Sequence, residues 1–224
     1  MAPLNNYDII ARRYDFLSRL VFGRAQVQAQ TDLLSLLKPG SLLLIVGGGT
    51  GWILDELAGF HITYVELSEQ MLALARKRGS DTNHITFVQA PIEAFATGAP
   101  QPPAAQTDPQ RPPSPCYDAI LTGFLFDNFS PTRAASVFHL LDGLLEPGGA
   151  WLFTDFYYRK GSGVWQGLLM KTMYTFFRFL CHVEARRMPD MGPFFKDSGY
   201  AVEREGFYYG GLIQSVGYRK ITGA

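Results

Sequence analysis

Leu42-Leu43-Leu44-Ile45-Val46-Gly47-Gly48-Gly49-Thr50-Gly51 decides how this chain is read. An apolar run of strand length breaks abruptly into glycine. Four glycines in five positions let the backbone turn tightly and lie flat against a ligand, because no Cβ stands in the way. Trp52-Ile53-Leu54-Asp55-Glu56-Leu57 then reads as a helix whose free N–H groups point back at the turn. Strand, glycine turn and helix together make a nucleotide-type binding corner.

Outward from this corner, strand and helix alternate, which predicts βαβ units and a parallel sheet. The strands expected are Leu42–Val46, Ile62–Glu66, Ile85–Gln89, Ala119–Thr122, Ala150–Asp155, Ala201–Tyr208 and Leu212–Arg219. Helices are expected over Trp52–Leu57, Glu69–Arg78, Thr132–Leu145 and a long aromatic stretch near Val164–Glu184. The last two strands have only Gly210-Gly211 between them, so they predict an antiparallel hairpin at the sheet edge. Residues 1–37 place apolar residues at helical spacing, and Lys38-Pro39-Gly40 stops the second of two helices there. The expectation is an α/β doubly wound sheet of seven strands, mostly parallel, within one domain of 224 residues.

Composition narrows the function classes. Twenty basic residues balance twenty acidic ones, so no strong field recruits nucleic acid. Charged residues are only 18% of the chain and aromatics 14%, which predicts an apolar pocket or surface as well as a core. Cys116 and Cys181 read as free thiols of a reducing compartment, and the first residues do not read as a signal peptide, so a cytoplasmic location is expected. The stretch Val164–Cys181 is interrupted by Gln166, Lys171 and Arg178 and makes a poor membrane span. Gly98–Pro115 holds seven prolines and almost no large apolar residue; it reads as a surface insertion between the third and fourth strands.

The glycine turn discriminates between nucleotides. A dinucleotide fingerprint needs G-x-G-x-x-G, with a third glycine for close helix–strand packing. Counting from Gly47 that position is Trp52, and counting from Gly49 it is Leu54, so the pattern fails in both registers. What stands here is G-x-G-x-G: Gly47, Gly49 and Gly51. Glu66 ends the second strand, 19 residues after Gly47, and at the carboxyl edge of a doubly wound sheet it can accept hydrogen bonds from two ribose hydroxyls. The bland alternatives are a ligand-free turn and a solvated surface carboxylate. Ser68 is the expected N-cap of the next helix.

Leu43–Leu54 and then Val65-Glu66-Leu67-Ser68-Glu69-Gln70-Met71-Leu72 resemble the class I S-adenosylmethionine-dependent methyltransferases, whose fold is Rossmann-like. Ile85–Ala90, Tyr117–Leu121 and Leu144–Leu152 agree in the same order. At the ends, Ile10–Asp15 and Met188–Tyr200 are similar to the ubiquinone and menaquinone biosynthesis C-methyltransferases. The resemblance implies S-adenosylmethionine as cofactor. It implies that Gly47, Gly49 and Gly51 lie under its methionine and ribose portions, and that Glu66, with Leu67 beside it, holds the ribose. Gln89 stands where the family usually has Asp to accept from the adenine amine, and Ala90 supplies a backbone N–H. Thr122 and Gly123 fall near the sulfonium, and Tyr14 closes over the cofactor. One position departs: two residues before the first glycine the family carries an acidic residue, and here that residue is Ile45.

A methyl sulfonium is already reactive, so the protein mainly has to align the nucleophile, the methyl and the sulfur, and exclude water. No metal is implied; His61, His84, His139 and His182 are scattered. A phenol-like acceptor also benefits from a general base, for which His182, Asp127 and Asn128 are the candidates; for the last two the alternative is ordinary loop or cap chemistry. Trp165–Leu180 is apolar on more than one face. It reads either as a buried helix or homodimer contact, or as a lid (residues 160–190) over an apolar substrate. In the lid reading Lys171 and Arg178 make membrane-surface contact within 164–182. The expected partner is a small, largely apolar methyl acceptor, quinol- or phenol-like. The alternatives are methylation of protein or nucleic acid, and a cofactor-binding module without activity.

Overall fold

The structure, a computed structural model, describes residues 21–98, 117–157 and 189–221. The Pro-rich insertion beyond Gly98, the lid-like segment up to residue 188, Tyr14 and His182 lie outside the described residues.

The elements in chain order are α1 (Ala25–Thr31), β1 (Leu42–Val46), β2 (His61–Glu66), α2 (Glu69–Ala75), β3 (His84–Gln89), α3 (Ile92–Gly98), β4 (Tyr117–Gly123), α4 (Pro131–Leu144), β5 (Leu145–Phe156), α5 (Gly192–Asp197), β6 (Tyr200–Tyr208) and β7 (Ile213–Lys220). The seven strands form one sheet in the order β3-β2-β1-β4-β5-β7-β6. The first five run parallel; β7 is antiparallel to both β5 and β6. This is the expected Rossmann-like sheet with its antiparallel edge.

All five residues of β1 are buried, as an aliphatic strand covered on both faces requires. Leu42, Leu44 and Val46 pack with α3, α4 and α5, while Leu43 and Ile45 pack with Leu33, Ile53, Leu54 and Leu72 on the opposite face. The chain leaves β1 toward β2 and β3, then returns to place β4 on the other side of β1. Strand order therefore reverses at β1 and β4, and a crevice opens at their carboxyl ends. Val46 is level with both Val65 and Thr122, so the turns after β1, β2 and β4 emerge side by side.

Capping follows the sequence. The Ser68 hydroxyl accepts from the Met71 N–H (3.1 Å) at the start of α2, and Ser130 caps α4 ahead of Pro131. The helix expected over Trp52–Leu57 is present after the glycine turn as a five-residue 3-10 helix, Trp52–Glu56. Leu57 is already extended, and Gly59 at φ +78° turns the chain toward β2. Asp55 ties the segment to the end of α2, accepting from Arg78 Nη1 (2.9 Å) and the Gly79 N–H (3.2 Å). Helices α3 and α5 were not expected; at seven and six residues they are too short to show a helical period.

The aromatic richness resolves into a packed cluster under α4 and α5. Phe195 is fully buried, stacked on Tyr218 (3.8 Å between centroids), and edge-on to Phe138 and Trp151, each at 5.0 Å. The buried Trp151 Nε1–H donates to Thr122 Oγ1 (3.0 Å), so the one polar atom of that indole is satisfied. Phe195→Ala is expected to lower stability by about 3–5 kcal/mol in chemical denaturation, the range for removing a buried aromatic; a change under about 1 kcal/mol would show that α5 does not pin the sheet.

Candidate active site

The glycine turn takes its shape from three positive φ angles: Gly47 (+65°), Gly49 (+61°) and Gly51 (+78°). A Cβ on Gly48 would fall 2.3 Å from the Tyr64 hydroxyl, and one on Gly51 2.7 Å from the Ala75 backbone. A Cβ on Gly49 would meet nothing within 4 Å, because that residue faces open space. Ile45, the position without the family's carboxylate, is wholly buried and level with Tyr64 on β2. The Tyr64 hydroxyl donates to the Gly49 carbonyl (3.1 Å), so a phenol from β2 braces the turn from below.

Glu66 ends β2 beside this turn, 8% exposed. Its Oε2 accepts from the Gly49 N–H (3.0 Å) and its Oε1 from the Ser68 N–H (2.9 Å). One carboxylate thus ties together the turns after β1 and β2. A carboxylate oxygen has two acceptor sites, so one that accepts a backbone N–H can also accept from a ligand hydroxyl.

The crevice forms one cavity. Gly47, Gly49, Glu66, Leu67, Ala90, Gly123 and Asn128 line it, seven of the residues singled out from the sequence. Four others lie outside it. Gly51 serves packing against α2, Gln89 is exposed at the end of the edge strand β3, and Thr122 is buried as the partner of Trp151. The fourth, Asp127, sits behind the wall. The Asn128 amide is engaged locally, donating to the Phe124 carbonyl (3.0 Å) and to Asp127 Oδ1 (2.8 Å), which is loop-capping chemistry.

Several lining groups carry no signature in the sequence. Gln26 and Gln30 of α1, four residues apart and buried, face the cavity. Their spacing puts them on one helix face, a signal readable only once α1 is known to cover the site. Phe124 holds φ +55° just after β4, anchored by its N–H to the Thr154 carbonyl (2.8 Å). Arg133 reaches the wall from the first turn of α4. It pairs with Glu93 of α3 (Nε to Oε1, 2.7 Å) and lies 4.6 Å over the Phe129 ring. Burial pushes the Glu93 carboxyl up, but the Arg133 bond and charge outweigh it and leave it below the usual range.

Behind the wall, Asp155 at the end of β5 holds the loop after β4. Its Oδ2 accepts from the Phe126 N–H (3.0 Å) and the Asp127 N–H (3.2 Å), and its Oδ1 from the Phe156 N–H (2.8 Å). Burial dominates over these bonds and raises the Asp155 carboxyl to about 7. The Asp127 carboxyl is also raised well above the usual carboxylate range, by burial and by the nearby Asp155 charge.

Residues 43–149 match the methyltransferase domain family. The chain is 31% identical over 119 residues to the malonyl-[acyl-carrier protein] O-methyltransferase of Halalkalibacterium halodurans, covering 51% of this chain and 38% of that protein. It is 29% identical over 160 residues to the ubiquinone/menaquinone biosynthesis C-methyltransferase UbiE of Methylobacterium nodulans, covering 66% of this chain and 56% of that protein. The chain thus spans less than two thirds of the length of these relatives. Among solved structures, it resembles the magnesium protoporphyrin IX methyltransferase of Synechocystis with bound SAH (TM-score 0.59, 16% identity, 87% of this chain and 83% of that chain), a likeness of fold. These findings agree with the glycine turn and the strand order: residues 43–149 are similar to a methyltransferase domain.

Asp155 gives a pH signature. Between the ordinary aspartate value of 3.8 and about 7, the folded protein keeps a proton that the unfolded chain has released. This group therefore favours the folded state at acid pH, and its contribution is lost as pH rises through that window. The stability difference between wild type and Asp155→Asn is expected to shrink from pH 5 to pH 8 in urea melts. A flat difference would mean that Asp155 titrates at an ordinary value.

Proposed function

We propose that this chain transfers a methyl group from S-adenosylmethionine to a small, largely apolar acceptor of quinol- or phenol-like chemistry. The observation that carries the reading is the junction of the Gly47–Gly49 turn with the Glu66 carboxylate in one cavity at the strand reversal. The residues suit the cofactor. Glycine at 49 leaves the backbone bare where a ligand would lie, and Glu66 is a carboxylate at the cavity wall, the group type that accepts from a ribose diol. When bound, the cofactor supplies an electrophilic methyl on a sulfonium.

The chain's own task is then to bind, orient and exclude water. Glu66 fixes the sugar relative to the turn. Ala90 and Ile92, at the end of β3 and the start of α3, flank the space beside it and give the adenine an apolar wall. Phe124, Leu125 and Val27 give the acceptor end an apolar lining, which suits an aromatic or aliphatic acceptor and keeps water from competing. Glu66 and Arg133 are the only charged side chains lining the cavity among the described residues. Asp127 and Asp155 stand behind the wall, and Asn128 is engaged in its own loop. The described residues therefore favour alignment over general-base catalysis as the source of rate.

Isothermal titration of the full chain with S-adenosylmethionine is expected to give saturable binding, and its absence would reject this function. Glu66→Ala is expected to weaken that binding by about 1–3 kcal/mol, or roughly five- to 150-fold, from lost hydrogen bonds to a charged group. Unchanged affinity would reject the ribose role. Turnover with a quinol or phenol panel then tests the acceptor class.

A further inference from the structure

Gln30 is 8% exposed and lines the cavity, yet its side-chain amide makes no hydrogen bond among the described residues. The amide is open to the cavity, where a polar ligand group can bond both its oxygen and its NH2. The amide lies directly against the end of β4. A Cβ on Gly123 would fall 2.5 Å from Gln30 Oε1 and 3.1 Å from Nε2, so glycine at 123 is what admits it. Gln26, 9% exposed, lies one helical turn earlier and faces the same cavity.

The sheet sets which end of a bound cofactor reaches these amides. Glu66 ends β2, and Ala90 follows β3, so the nucleoside lies over the β2–β3 side. The rest of the molecule must then extend over β1 and β4, where Gly47 and Gly123 are neighbours and α1 covers the crevice. At that end β1 contributes only the buried Ile45 and Val46, and no charged side chain lines it among the described residues. The terminal group of S-adenosylmethionine is a zwitterion, an ammonium and a carboxylate on one carbon. A neutral amide suits it, since its oxygen accepts from the ammonium and its NH2 donates to the carboxylate.

We propose that the side-chain amide of Gln30, supported by Gln26, holds the amino-carboxylate end of the cofactor and sets its position over Gly123. This rests on the methyl-transfer reading above. No bond is made or broken in this role; Gln30 orients the cofactor so that the sulfonium presents its methyl to the acceptor.

The test compares S-adenosylhomocysteine, which carries the amino-carboxylate, with 5′-methylthioadenosine, which lacks it, by isothermal titration of the full chain. Gln30→Leu is expected to weaken S-adenosylhomocysteine about tenfold or more and to leave 5′-methylthioadenosine unchanged, the latter also showing that the variant is folded. Gln30→Met keeps the length of the side chain and removes both polar ends, so it is expected to give the same selective loss. Equal weakening of both ligands by Gln30→Met, or no weakening of either, would overturn the proposal while leaving the methyl-transfer reading intact. A wild-type chain that binds neither ligand nor S-adenosylmethionine would overturn both.

Discussion

One carboxylate holds the site together. Glu66 receives the Gly49 N–H on one oxygen and the Ser68 N–H on the other, so a side chain at the end of β2 sets both the glycine turn after β1 and the start of α2. Neither loop could be placed by packing alone. Glycines contribute no side chain to a core, and a positive-φ turn has many alternatives of similar energy. A nearly buried anion narrows them, because leaving its oxygens unmet costs more than ordering a loop of this size. Tyr64 acts from the other side, bonding the Gly49 carbonyl. The turn is thus gripped at both backbone atoms of one residue.

The same device recurs on the other half of the sheet with a different consequence. Asp155 ends β5 and accepts two N–H groups from the loop after β4, fixing Phe126 and Asp127. Glu66 faces the cavity, where a ligand can share its lone pairs. Asp155 faces the interior, where burial raises its proton affinity. Two strand-end carboxylates of similar local role therefore divide into one that is available to a ligand and one that belongs to the framework. The framework carboxylate also explains how Phe124 can keep φ +55° beside the cavity: the loop on either side of it is pinned, by the Thr154 carbonyl before and by Asp155 after.

The parallel strands, the edge hairpin and the Ser68 cap were legible in the sequence because each is a local pattern: an aliphatic run, a glycine pair, a hydroxyl before a helix. The seven lining residues found in advance lie on or beside those strands, where position along the chain fixes position in space. The helix at Trp52–Glu56 was legible too, but not its tight 3-10 winding, which goes with its shortness before Gly59 bends the chain away. Gln26 and Gln30 were silent because a glutamine on a short helix reads as solvent-facing until something covers it. In the sequence Asp155 reads only as the end of a strand. Its role depends on the loop after β4, far away in the chain, and no spacing rule joins the two.

Ile45 shows why local departures from a family's pattern are poor guides taken singly. The side chain at 45 lies wholly within the packing between β1 and the helices, level with Tyr64. A carboxylate there would need partners that this core, built of leucine, isoleucine and tyrosine, does not provide. The bracing of the turn is supplied instead by the Tyr64 hydroxyl one strand over, whose ring fills the volume under Gly48 so closely that no Cβ fits. The aliphatic residue at 45, the tyrosine at 64 and the glycine at 48 therefore form one compensated set. An acid at 45 would place a charge in a dry core. The floor of the site is neutral, as are the amides with which α1 lines the cavity.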